Sequence, residues 1–300
     1  MTNALGLDIG GTNARAGLVD TKTGRLVEAA KISLGDRSPD AVIEAVAGLV
    51  ENVAGKNASG SLGVGFAGML DGSVVVNAPN LGWQNVDFGT LLAKRLGRPV
   101  TLINDLTAAA WGEFSAGSAK GSRDTLTVFA GTGVGSAIIS NARLLNGSNG
   151  VAGEFGHIKV VLEGGRPCGC GQFGCLEAYA GGARLEKWMN EVGLSGNVAD
   201  LEKMAQTSGA SNAKARELYD FATDSLGLAI ANQVTVLNPS MVVLGGGVLS
   251  NCPGMVERIT TIVQQRANAP AAKTVRMVMA KLGDDAGLVG AALLGGDGGA

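Results

Sequence analysis

One short device occurs twice in this chain, and it limits the folds available. LGLDIGGTNARAGLV, starting at residue 5, and LTVFAGTGVGSAII, starting at residue 126, share one pattern. Each is an apolar strand, a Gly/Thr turn, and a returning strand of small residues. Short apolar runs bounded by turn residues read as buried strands. Two copies predict an internal duplication, with one glycine-turn hairpin at the head of each half. The rest of the chain alternates strand and helix signals, which is the pattern of an α/β protein. Helical periodicity covers 39–53, and buried strands fall at 61–67 and 99–103. Asn104-Asp105 opens a helix that runs to about residue 114. Further on come a long helix at 213–237, a strand at 241–244 ending in Gly245-Gly246-Gly247, and a last helix at 287–294. A domain boundary is expected within 110–119. It is set at 112/113, giving a small domain 1–112 and a larger one 113–285, with a C-terminal helix 286–300 packing back on the first.

At 300 residues and a net charge of −2, the chain has room for one large or two moderate domains but no basic field. Nucleic acid and anionic membranes are therefore poor partners, and a small molecule fits better. MTNALGLDIGG has no basic region before its first glycine turn, and no apolar stretch is long enough to span a bilayer. The expected location is the cytoplasm. Glycine is in excess, at 48 residues, and it clusters in short turns where backbone could approach a ligand closely.

Such turns let backbone N–H groups converge on an anion. Gly10, Gly11, Gly131 and Gly133 supply the open backbone, while Thr12 and Thr132 add hydroxyls. Asp8, ending the first strand, could position Mg²⁺ through water, because a hard cation prefers oxygen. Either turn alone reads equally well as an ordinary hairpin. No G-x-x-x-x-G-K-[ST] stretch is present, and the spacing after Gly131 departs from G-x-G-x-x-G. The matched pair, with the later Gly245–Gly247 turn, favours a nucleotide held between two domains.

Asp105 follows a nearly all-apolar strand and sits beside Asn104. Phosphoryl transfer needs a group to accept the proton of the attacking hydroxyl. Taken locally, capping its helix is the simpler role for Asp105. Planar hydrogen-bonding groups of the kind that read sugar hydroxyls are available at Asn80, Asn104, Glu154 and Glu177. Each has a plainer reading as a turn or surface residue. Trp83 could support a sugar ring or cover core.

His157, the only histidine, precedes Cys168, Cys170 and Cys175 within a short glycine-rich stretch. Three thiolates and one imidazole form a closed tetrahedral Zn²⁺ set, structural because no position is left for water. Cys252 stands apart and reads as a packed thiol. A zinc ribbon for nucleic acid is disfavoured by the charge.

These segments together resemble the ROK family (repressors, open reading frames and sugar kinases), and within it the bacterial glucokinases. The matching motifs are DIGGTN from Asp8, NAPNLGW from Asn77, Asn104-Asp105, GTGVG from Gly131, GEFGH from Gly153, CGCGQFGCLE from Cys168 and LGGG from Leu244. They cover nearly the whole chain, and GEFGH with CGCGxxGCLE is highly specific. The resemblance implies the actin-like ATPase (ribonuclease H-like) fold, two domains flanking a cleft for ATP and sugar. It implies Asp105 as catalytic base and Asn80, Asn104, Glu154, His157 and Glu177 as sugar contacts, with Gly68 lining the pocket. Asp8, Gly10, Gly11, Thr12, Gly131, Thr132 and Gly133 would serve the phosphates of Mg-ATP, and Gly245 and Gly246 the adenosine. His157, Cys168, Cys170 and Cys175 would hold zinc, with His157 facing both metal and sugar. A dimer or tetramer is implied as well. Leu106, Thr107 and Ser136 depart from the family pattern without removing a polar group that the chemistry needs. The implied activity is ATP-dependent phosphorylation of a hexose at its 6-hydroxyl, glucose first. The alternatives are an N-acetylmannosamine or N-acetylglucosamine kinase, a fructokinase, or a sugar-sensing regulator. The regulator is disfavoured because DIGGTN begins at residue 8, leaving no room for a preceding DNA-binding module.

Overall fold

The computed structural model describes residues 3–54, 60–209 and 212–296. The end of the expected 286–300 helix, with its glycine-rich tail, lies outside the described residues. The chain divides into two compact units. The first is Met1–Gly121 with Asn146–Ala152 and Lys281–Ala300, and the second is Ser122–Leu145 with Gly153–Ala280.

In the first unit, β1 (Asn3–Ile9), β2 (Asn13–Asp20), β3 (Leu26–Ser33), β4 (Leu62–Phe66) and β8 (Val100–Asn104) form one sheet in the order β3-β2-β1-β4-β8. The β1/β2 and β2/β3 pairs are antiparallel, whereas β1/β4 and β4/β8 are parallel. A separate three-stranded meander, β5 (Met69–Asp71), β6 (Val74–Ala78) and β7 (Trp83–Val86), is inserted between β4 and β8. The helices are α1 (Pro39–Ala54), α2 (Phe88–Leu96), α3 (Asp105–Ser115) and, from the chain's end, α11 (Ala286–Gly296).

The second unit repeats the plan. Strands β9 (Thr125–Ala130), β10 (Val134–Ser140), β11 (Arg143–Leu144), β12 (Met241–Gly245) and β13 (Arg276–Met279) run in the order β11-β10-β9-β12-β13. The strand senses match position for position. The duplicated sequence is thus the central strand, turn and antiparallel neighbour of each sheet, the repeated arrangement of the actin-like ATPase fold. Helices α4 (Glu177–Ala180), α5 (Gly182–Glu191), α6 (Val198–Gln206), α7 (Ala213–Leu237), α8 (Gly247–Asn251), α9 (Pro253–Arg266) and α10 (Ala269–Thr274) complete it. Its core gathers Leu126, Val128, Val242 and Leu244 against Leu226, Ile230, Ile259 and Val263 of α7 and α9. Cys252 is fully buried, and burial pushes its thiol up to about 12. No helix among the described residues is long and apolar enough to cross a membrane.

The expected boundary at 112/113 falls inside α3, and the reason is Glu113. This fully buried carboxylate accepts N–H from Lys281 (2.8 Å), Leu282 (2.6 Å) and Ser118 (2.7 Å), and the Ser118 hydroxyl as well. A buried charge is tolerated when it is hydrogen-bonded this fully. It ties all of α3 and the entry to α11 into the first unit.

The glycine excess also serves helix packing. Nearly every residue of α11 is buried, so its contacts must be close on all sides. A Cβ on Gly63 would overlap the backbone of Ala291, and one on Gly290 would overlap the backbone of Ala108. Glycine at these points lets α11 lie against β4 and α3.

Candidate active site

In the first unit the β1–β2 turn is closed by Gly10 N–H donating to the Asn13 carbonyl at 3.0 Å. Asp8, Gly10, Gly11 and Thr12 line a cavity of about 870 Å³, and Asp105 lies on its wall. The parallel β4/β8 pairing sets Phe66 beside Asn104, so the carboxyl ends of β1, β4 and β8 deliver these groups to one place. Asn104 Nδ2 donates to the Gly68 carbonyl at 3.4 Å. A Cβ on Gly11 would stand 2.7 Å from that of Asn80, so the turn rests on Asn80. All eight candidate residues of this unit are therefore contiguous.

The cap of α3 is Asn104. Its Oδ1 accepts from Leu106 (3.0 Å) and Thr107 (3.2 Å), as a helix N-cap does. Asp105 is the next residue, and its Oδ1 also accepts from Leu106 at 2.9 Å. Capping therefore does not account for a carboxylate at 105. Trp83 belongs to the core: its ring is buried against Phe66 and Phe88, and its Nε1 donates to the Arg37 carbonyl.

Four charged residues that were not read from sequence also line the cavity: Arg15, Lys31, Asp284 and Asp285. Arg15 stands opposite Asp8 in the hairpin. Its guanidinium donates to the Asp285 carboxylate and to the Asp284 carbonyl, both at 2.6 Å. Counting outward from the turn would have found Arg15. Asp284 and Asp285 arrive from the chain's other end and give no local signal. Burial raises the Asp8 carboxyl above its ordinary value, the Arg15 guanidinium pulls it back, and Asp284 adds to the rise.

In the second unit the turn Gly131–Gly133 is bonded from behind. Gly182 N–H donates to the Gly131 carbonyl (2.8 Å) and Ala183 N–H to that of Thr132 (3.1 Å). Gly131 also lies near Gly247, where β12 ends in the Gly245-Gly246 bend. Gly246 has φ +86°, a conformation that glycine adopts readily. Glu177, at the start of α4, places Oε2 3.1 Å from the Val134 N–H. Ser136 is buried and its hydroxyl donates to the Gly153 carbonyl, tying β10 to the segment that carries Glu154 and His157.

His157, Cys168, Cys170 and Cys175 present ligand atoms that all lie within 4.8 Å of one another. Cys170 and Cys175 sulfurs are 3.8 Å apart, and Cys168 Sγ is 3.6 Å from His157 Nδ1. Ligands about 2.3 Å from a tetrahedral Zn²⁺ stand roughly 3.8 Å from each other, so the cluster fits that ion in donor type and spacing. The other ring nitrogen, Nε2, is 3.7 Å from the Glu154 carboxylate. Lys159 Nζ donates to Cys175 Sγ at 3.1 Å.

This combination can be compared with known proteins. The glucokinase of Halalkalibacterium halodurans is 33% identical over 306 aligned positions, covering 95% of this chain and 92% of that protein. The structure of a ROK hexokinase from Thermus thermophilus matches with a TM-score of 0.86 at 34% identity, over 98% of each chain. That of a ROK family glucokinase from Streptomyces griseus, in complex with glucose and AMPPNP, matches with a TM-score of 0.77 at 30% identity, over 98% of this chain and 99% of that one. Residues 4–297 match the ROK family as a whole, which leaves neither repeat of the hairpin nor the Cys/His loop outside the match, and the chain belongs to the ROK family.

Proposed function

We propose that this chain is an ATP-dependent hexose kinase that phosphorylates the 6-hydroxyl of its sugar, with glucose as the principal substrate. The observation that carries the reading is the Asp105 carboxylate on the wall of the cavity formed by Asp8 and the first glycine turn, with Asn104 already capping α3. The full-length likeness to a glucokinase with glucose and AMPPNP bound supports it.

Asp105 takes the proton of the 6-hydroxyl as that oxygen bonds to the γ-phosphorus of ATP and the bond from phosphorus to the β–γ bridging oxygen breaks, releasing ADP; positioning does most of the remaining work. Asn80, Asn104, Glu154, His157 and Glu177 hydrogen-bond the hexose, beside the backbone at Gly68. Gly10, Gly11, Thr12, Gly131, Thr132 and Gly133 hold the phosphates, and Gly245 and Gly246 lie against the adenosine. Asp8 would hold Mg²⁺ through water, and the ion bound with ATP would supply charge neutralisation at the phosphoryl oxygens. His157, Cys168, Cys170 and Cys175 hold a structural Zn²⁺ that fixes the loop between Glu154 and Glu177.

The test is an ADP-coupled assay over glucose, mannose, fructose, N-acetylglucosamine and N-acetylmannosamine. Glucose should give the highest kcat/KM. Dominance of an N-acetylhexosamine would move the substrate and keep the chemistry, and no turnover from folded, zinc-loaded protein would end the kinase reading.

Asp8 allows a second check. Because burial raises its carboxyl in the folded state, ionising it costs stability, and that cost appears as the pH rises through the folded value. Asp8→Asn should therefore melt at a higher temperature than wild type at pH 7–8, the gain shrinking toward pH 4. It should also lose activity by about 10²-fold. Scanning calorimetry across pH decides the first point, and a destabilised variant at neutral pH would contradict it.

A further inference from the structure

We propose that the zinc-binding loop also positions the second glycine turn, with Glu177 as the positioning residue, so that the metal site governs nucleotide affinity as well as the sugar contacts. The inference rests on the kinase reading above and concerns contacts within the second unit.

A turn that receives phosphates must keep its own carbonyl oxygens pointed away from them, because two acceptors repel. Here the carbonyls of Gly131 and Thr132 are occupied by the N–H groups of Gly182 and Ala183 in the first turn of α5. From the other side, Glu177 Oε2 accepts the Val134 N–H at the exit of the turn. A Cβ on Gly133 would fall 2.4 Å from that same oxygen, so turn and carboxylate are fitted to each other. Both supports are set by the metal loop. Glu177 follows Cys175 by two residues, its Oε1 is 3.9 Å from Cys168 Sγ, and Leu176 N–H donates at 2.9 Å to the carbonyl of Ile158, next to His157. Helix α5 begins five residues after Glu177. Loss of the metal would therefore release the turn's supports together.

The test measures binding of Mg·AMPPNP by calorimetry in the absence of sugar, and of glucose in the absence of nucleotide. Glu177→Ala should raise the Kd for AMPPNP by about tenfold or more, the usual effect of deleting a charge-assisted acceptor. Glu177→Gln keeps an acceptor oxygen and should stay within about threefold of wild type. Ala183→Pro, in the first turn of α5 where proline is tolerated, replaces the N–H that holds the Thr132 carbonyl with a ring methylene that must push that carbonyl aside. It touches no sugar or metal ligand, so AMPPNP affinity should fall about threefold or more with glucose affinity unchanged. Chelated wild type, verified free of zinc and still folded, should lose AMPPNP affinity as Glu177→Ala does. Wild-type nucleotide affinity in Ala183→Pro and in the metal-free protein would overturn the inference. Absence of AMPPNP binding by the wild type would instead fell the kinase reading itself.

Discussion

Asp105→Asn is expected to lower kcat by about 10²–10⁴-fold while leaving the hexose Kd within about threefold. The amide has the shape of the carboxylate and can still accept the Leu106 N–H, a bond that Asp105 Oδ1 makes at 2.9 Å. The helix does not depend on the charge either, because Asn104 already accepts from Leu106 and Thr107. What the substitution removes is the ability to take a proton at neutral pH. The measurement pairs the coupled assay at saturating ATP and sugar with sugar binding by calorimetry. A kcat within tenfold of wild type would remove Asp105 from the role of base. A large loss of sugar affinity at unchanged kcat would make it a binding residue instead.

The role of Asp105 also marks where the sequence was clear and where it was not. Asn104-Asp105 at the head of a helix is visible locally, but which of the two caps it depends on backbone angles that neighbouring residue types do not fix. The doubled hairpin was legible because strand, turn and return strand are all local, and two copies constrain each other. The Cys/His loop was legible because its donors lie close along the chain. Glu113 was not, since its partners at Lys281 and Leu282 come from the far end of the sequence. For the same reason Asp284 and Asp285 escaped, although they hold Arg15 directly across from Asp8. The meander β5–β7 was missed because its strands are short, partly exposed and broken by Gly72, Pro79 and Gly82. The glycines were read too narrowly: at Gly63 and Gly290 they serve helix packing, which only the path of α11 reveals.

That packing leads to the second large effect, in which the same change at two helical glycines has opposite signs. Gly48 lies on the exposed side of α1, where an added Cβ meets nothing within 4 Å. Gly48→Ala should stabilise by about 0.5–1 kcal/mol, through the lower entropy cost of ordering alanine in a helix. At Gly290 the same propensity gain is offered, but the methyl group would overlap the carbonyl of Ala108 and crowd Gly112 N. Those obstacles are backbone atoms of another helix and cannot rotate aside. The helices must separate, at a cost of about 1–3 kcal/mol or more for overpacking a close contact. At about 2–4 °C per kcal/mol for chains approaching this size, Gly290→Ala should melt several degrees below wild type and Gly48→Ala slightly above it. The loss should also reach the chemistry. Helix α3 carries Asp105 at its first position, and α11 begins beside Asp8, whose carboxylate would lie 3.5 Å from a Cβ at Gly287. Forcing α11 off α3 therefore displaces both Asp8 and Asp105, and kcat/KM should fall together with the melting temperature. A Gly290→Ala protein as stable and as active as Gly48→Ala would mean that α11 does not lie against α3 as closely as described.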